Sequence, residues 1–128
     1  MIIYPKKTVK IRLKGKQPSP TIQVARCDDF ASRLTGLMFQ KTLDHNFGLL
    51  FDFGIETRFK SSIHMFFVYI DLTILWLDSN FNIVEKAFAN KMHGILTPSV
   101  AARYVLELHS NKFQAFSVGD VLELVHEE

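Results

Sequence analysis

The residues from which this chain could build chemistry are few: five histidines at 45, 64, 93, 109 and 126, one cysteine, Cys27, and four methionines. The histidines form no His-x-His and no His-Glu-x-x-His, and there are no paired cysteines, so no spacing specifies a preformed zinc site. A softer set, Cys27, Met38, His64, Met65 and Met92, offers the thiolate, thioether and imidazole donors that suit monovalent copper. Methionines in a chain with 12 phenylalanines also fill irregular core gaps and make sulfur–aromatic contacts, which is the simpler account of them. No metal and no cofactor is expected.

Cys27 precedes an expected helix start, where the dipole could stabilise a nucleophilic thiolate, but the position equally suits an inert cysteine at a strand end. No local signature of a cysteine nucleophile surrounds it. No serine lies in a Gly-x-Ser-x-Gly elbow and no glycine-rich phosphate loop is present. Lys10, Arg12 and Lys14 alternate with Val9, Ile11 and Leu13, the period-two pattern of a strand with one face buried and one in water. Its apolar alternates are all aliphatic, with no aromatics for base stacking, so a solvated edge strand is expected rather than a nucleic-acid surface.

The elements that must position these residues read mainly as strands. After the basic strand, the stretch 15–20 turns the chain before Ile22 and Val24 restart the alternation, which predicts a hairpin. Asp28 can cap a helix over about residues 29–35, with Phe30 and Leu34 on one face and Gly36 at the left-handed stop. Residues 48–53, 63–70, 73–77, 83–88, 103–108 and 121–125 are short runs rich in β-branched and aromatic residues. Ser110 can cap a second short helix reaching about Phe116. Six to eight strands with two short helices, in no regular alternation, predict a compact β barrel or sandwich and exclude a parallel α/β sheet. Leu37, Leu50, Phe51, Met65, Leu75, Leu77, Val105 and Leu106 are the expected core.

Composition agrees. A chain of 128 residues, 48% hydrophobic and 22% charged, is long and apolar enough to bury one core as a single domain. The net charge of +2 is local: six of the 15 Lys and Arg fall in residues 1–20 with no acid, leaving nine against 13 acidic residues elsewhere, a body that would repel a polyanion. No secretory signal is expected at the start of the chain. The apolar stretch 63–77 is interrupted by His64 and Asp71 and is too short to span a membrane. A cytoplasmic protein is expected.

Three blocks carry a resemblance. Arg33-Leu34-Thr35-Gly36-Leu37-Met38-Phe39, then His64-Met65-Phe66-Phe67 running to Leu75-Trp76-Leu77-Asp78, then Ala102-Arg103-Tyr104-Val105-Leu106-Glu107-Leu108 with a later Gly119-Asp120, occur in the order and spacing of the family called domain of unknown function 192. The chain is similar to that family over about residues 21–125, preceded by the basic strand. The resemblance implies a compact β barrel or sandwich and no established activity. Where relatives commonly read Ile-Pro-Leu-Asp, this chain reads Ile70-Asp71-Leu72-Thr73, so the proline and the usual acid are both replaced.

Within those blocks Arg33, His64, Arg103 and Glu107 are the polar candidates for a ligand-binding site. Arg33 can serve the helix end or an acid such as Glu107, or it can join His64 at a concave mouth as a donor to an anion or a sugar. Glu107 lies between Leu106 and Leu108 and is expected to point outward if they point inward. The reading that fits best is a non-catalytic β domain binding a small polar or anionic ligand, or a protein partner. The alternatives are an enzyme acting on a small polar substrate through Arg33, His64 and Glu107, and copper handling through the soft set.

Overall fold

The computed structural model describes residues 8–16, 18–19, 21–28 and 36–125. Arg33 and the helix expected over 29–35 lie outside the described residues. Nine strands are described: β1 (Thr8–Leu13), β2 (Ile22–Cys27), β3 (Phe47–Thr57), β4 (Ile63–His64), β5 (Leu72–Leu77), β6 (Ile83–Ala89), β7 (Ile95–Leu96), β8 (Ala102–His109) and β9 (Leu122–Val125), with one 3-10 helix, Ser110–Ala115. Seven of them form a sheet in the order β6-β5-β8-β3-β2-β1-β9, and β4 pairs with β7 apart from it. The mainly β expectation holds.

The expected hairpin forms, with Thr8 opposite Ala25 and Ile11 opposite Ile22. The basic strand is nevertheless not an edge: β9 pairs along its other side, placing Lys10 opposite Val125 and Leu13 opposite Leu122. Glu123 supplies the reason, since its carboxylate lies 3.4 Å from the Arg12 guanidinium and offsets the charge that would otherwise repel a neighbour. The β2–β3 pair is parallel and is bridged by a long crossover, residues 28–46, while the other pairings described are antiparallel.

The sheet curls until its two edges meet. Ile83 N donates to Asp120 O at 2.8 Å, Gly119 N to Ile83 O at 2.8 Å and Leu122 N to Phe81 O at 2.9 Å, and Asn82 bridges to Val121. A half-barrel results. Its hollow holds Ile11, Leu13, Ile22, Leu50, Leu75, Leu106, Leu108 and Leu122, plugged by Phe116 from beyond the 3-10 helix. A second apolar layer lies on the sheet's other face, where Leu49, Phe51, Ile74, Trp76 and Val105 are covered by Leu37, Leu43, Met65 and Val68 from the connections. All eight residues expected in the core are buried.

Two local expectations change. The run 63–70 is a strand only at Ile63–His64; Val68 N then bonds back to Met65 O at 3.1 Å and Phe67 takes a positive φ of 59°, so the apolar run turns instead of extending. The 3-10 helix begins as expected, but the cap is His109, whose Nδ1 accepts from Asn111 N at 3.0 Å, and not Ser110. Lys86 holds its far end, donating to the Phe113 and Phe116 carbonyls at 2.9 and 3.0 Å.

Leu75 sits in the half-barrel hollow on a strand buried on both faces, and its truncation to Ala leaves a cavity that neither layer can collapse to fill. A loss of about 2 to 5 kcal/mol is expected from the urea unfolding midpoint at unchanged slope.

Candidate functional site

Of the sequence-derived site residues, His64, Arg103 and Glu107 are described, each in its own surroundings. His64 closes β4, half-buried, with its ring stacked on Phe66 at 5.7 Å between centroids. Arg103 is held by a carboxylate: its Nε donates to Asp52 Oδ1 at 3.0 Å and its terminal nitrogen to Asp52 Oδ2 at 3.4 Å, while Arg26 reaches the same oxygen at 3.3 Å. Burial raises the Asp52 pKa, but the Arg103 bond, the Gly54 amide and the two guanidinium charges outweigh it and hold the carboxyl below its ordinary value. The Arg103 fork is thereby occupied within the fold.

Glu107 is not solvated. Strand alternation sends Leu106 and Leu108 into the half-barrel hollow and Glu107 to the opposite face, but that face is covered, and Glu107 is only 5% exposed. Leu49 and Ile74 are its cross-strand neighbours. Gly36, at φ 45°, lies over it, so close that an added Cβ would meet Glu107 Oε1 at 3.5 Å and Phe51 Cζ at 3.4 Å. Burial pushes the carboxyl up to about 8, so it is largely neutral at pH 7.

Above this layer three connections meet in a surface the sequence did not reveal. Phe39 N donates to Phe67 O at 2.7 Å, and Met92 N to Val68 O at 3.1 Å. Phe39, Phe67 and Met92 all have positive φ, at 66°, 59° and 60°. Their side chains face outward: Phe39 is 61% exposed, Met92 49%, Phe67 47% and the adjoining Tyr69 40%. The Phe39 ring stacks on Phe67 at 5.4 Å and tilts against Tyr69 at 6.5 Å. Phe39 also borders a hollow of about 490 Å³ lined by Lys41, Thr42, Asp44 and Phe47. One of the replaced family positions supports this surface, and the other bonds to the end of β8. Asp71 Oδ1 accepts from Lys91 N at 2.8 Å, fixing the turn that carries Met92, and Thr73 Oγ1 donates to the His109 carbonyl at 3.0 Å.

The remaining candidates have structural surroundings. Cys27 is buried at the end of β2 with its thiol 3.9 Å from Ala25 O. The soft set is divided, Cys27 and Met65 lying in the core and Met92 on the surface. Among the described residues no three His, Cys, Asp or Glu side chains gather as a metal site. His45 and His109 pack at 4.0 Å between centroids, and Asn111 serves both, its amide nitrogen 2.9 Å from His45 Nδ1 and its backbone N on His109 Nδ1. Among the described residues no helix is long and apolar enough to cross a membrane.

The model of the domain of unknown function 192 family, an uncharacterised ACR, matches residues 9–124. The chain is 39% identical over 94 residues to a UPF0127 protein of Thermococcus kodakarensis, covering 73% of this chain and 57% of that one. A UPF0127 protein of Pyrococcus furiosus is 33% identical over 112 residues, covering 86% of this chain and 91% of its own. The chain thus spans little more than half the length of the Thermococcus protein. Among solved structures, a Sinorhizobium meliloti protein described as a candidate transcription regulator superposes with a TM-score of 0.85 at 26% identity, over 96% of this chain and 98% of that one.

The histidine pair gives a pH dependence. Burial, then the charge of His45, lowers the His109 pKa from its ordinary 6.5, so the unfolded chain takes up the proton more readily than the folded one. The stability linked to His109 is complete above about pH 6.5 and declines as pH falls below it. The urea midpoint should fall as pH drops below about 6.5, a slope that His109→Asn, which still caps, should flatten. The Asp52 contribution is lost only below the ordinary aspartate range, so the two are separable.

Proposed function

The chain belongs to the uncharacterised domain of unknown function 192 family, and from that premise we propose that it is a non-catalytic β domain that docks a protein partner through the rim of Phe39, Phe67, Tyr69 and Met92. One observation carries the reading: three bulky residues adopt the left-handed conformation, which costs such side chains about 1 kcal/mol or more each, while presenting them to solvent. Burial does not compensate that strain within the fold. The backbone bonds between the three connections hold the rings in place, so an apolar segment laid on them loses little side-chain freedom on their account. Stacked, pre-ordered aromatics are the residues that dominate protein interfaces.

The other readings draw less support. A small anion would need a free forked donor, and among the described candidates that of Arg103 is engaged by Asp52. An enzyme working through Glu107 would need the layer above that side chain displaced. The Sinorhizobium protein's description suggests nucleic acid, but here Arg12 faces Glu123 and Lys16 faces Asp120 at 2.7 Å, which reduces the positive field of the basic strand.

A library of displayed linear peptides selected on the immobilised chain tests the proposal. Selected peptides should carry apolar or aromatic anchors, shift the amides of residues 36–40, 65–71 and 91–95, and bind at least about tenfold more weakly to Phe39→Ala. Selection of no peptide, or peptides indifferent to Phe39 and Phe67, would reject it. Phe39→Gly separates the strain from the function: it should leave the unfolding midpoint unchanged or raise it, because glycine adopts φ 66° freely, while binding is lost.

A further inference from the structure

The hollow beside the rim is lined by residues 39–44 and 47, from a single stretch of chain that leaves the ring stack at Phe39 and enters β3 at Phe47. We propose that it binds the C-terminal carboxylate of the segment docked on the rim, with Lys41 as the cation. The inference rests on the rim as the docking surface and gives the bound segment a direction, its chain end lying past Phe39.

The apolar part of the hollow is fixed by the fold. Leu43 is buried in the outer apolar layer and Phe47 packs against that layer. Phe47 lies opposite Gln23 in the parallel pair, Gln23 N donates to Asn46 O at 2.9 Å, and Phe47 N donates to Asp44 O at 3.2 Å. Asp44 Oδ1 accepts from Asn46 N at 2.8 Å and holds the turn between them. Beside this frame stand three donors that the fold leaves unused. Among the described residues no hydrogen bond or ion pair engages the Lys41 ammonium, the Gln40 carboxamide or the Thr42 hydroxyl. Apolar walls with a few unspent polar groups around about 490 Å³ are the make-up of a small-ligand pocket.

The charges narrow the ligand to a monoanion. Lys41 attracts one carboxylate, while Asp44, lining the same hollow, opposes the second charge of a phosphate. The rim then decides which carboxylate it is. Phe39 belongs to both the ring stack and the hollow, so a segment anchored on the rings by its last side chain brings its own chain end to Lys41. Acidic side chains are depleted at the centre of protein interfaces, whereas the terminal carboxylate comes with any sequence, and its capture is a recurring mode of peptide recognition. Lys91, beside Met92 at the other end of the rim, stands exposed on a turn and serves as the control for general attraction.

Linear peptides displayed with free C termini, selected on the immobilised chain, test this. Those that depend on Phe39 are resynthesised with a carboxylate end and with an amide end. The acid should bind about tenfold more tightly than the amide, a ratio that Lys41→Met should bring close to one and Lys91→Gln should leave unchanged. Lys41 is exposed, so its replacement should leave the unfolding midpoint in place. Inorganic phosphate should not displace the acid. Equal binding of acid and amide, a ratio that survives in Lys41→Met, or displacement by phosphate would overturn the proposal and leave the rim standing. An amide-ended peptide that regains the tighter binding through an acidic last side chain would overturn the assignment to the chain end. If no selected peptide depends on Phe39, the rim and the carboxylate site fall together.

Discussion

A sheet that rolls on itself protects one face and leaves the other outward. Everything else in this protein follows from how that outward face is covered. The backbone bonds between Ile83 and residues 119–120 bring the two edges together and dry the hollow side, so β5 and β8 need cover only on their outer side. Irregular connections supply it, inserting Leu37, Leu43, Met65 and Val68. A connection used as a layer must satisfy its own backbone as well as hide apolar side chains. Trp76 Nε1 on the Ser61 carbonyl at 2.8 Å and Asp71 on Lys91 N are that satisfaction in side-chain form.

The same requirement explains why strain concentrates on this side of the molecule. Connections that must turn sharply over an apolar layer reach for left-handed residues, and glycine fills that position at residue 36, where it lies over Glu107. At residues 39, 67 and 92 large apolar side chains stand where glycine would be easier. Local ease and the chosen side chain conflict there. Such conflicts collect at sites with a role beyond folding, in line with the docking reading.

The strands were legible because their signal is local. Val9, Ile11 and Leu13 alternate with cations, and Leu75, Leu77, Val105 and Leu106 lie in runs that only a buried strand accommodates. Pairing partners were not legible, so β1 read as an edge although β9 lies against it. Glu107 read as pointing outward, but alternation fixes only relative facing, and nothing in the strand says whether its second face is covered. Of the candidate site, His64 and Glu107 border the same layer, whereas Arg103 belongs to an ion-pair cluster of its own. The rim escaped altogether, since an apolar run such as residues 63–70 has one composition whether it extends or turns, and a positive φ at Phe67 leaves no mark in the sequence.

The pairing of the first strand with the last also sets an order of events as the chain is made. β1 and β2 can form their hairpin early, but residues 10–13 find β9 only after residue 125 has emerged, and β2 waits for the crossover before β3 lies beside it. Contacts of such sequence separation are slow to form and leave strand edges open to wrong neighbours meanwhile. Lys10, Arg12 and Lys14 acquire a second use in that interval. Their like charges keep the waiting edges of nascent copies apart until Glu123 arrives to meet Arg12 and close the sheet.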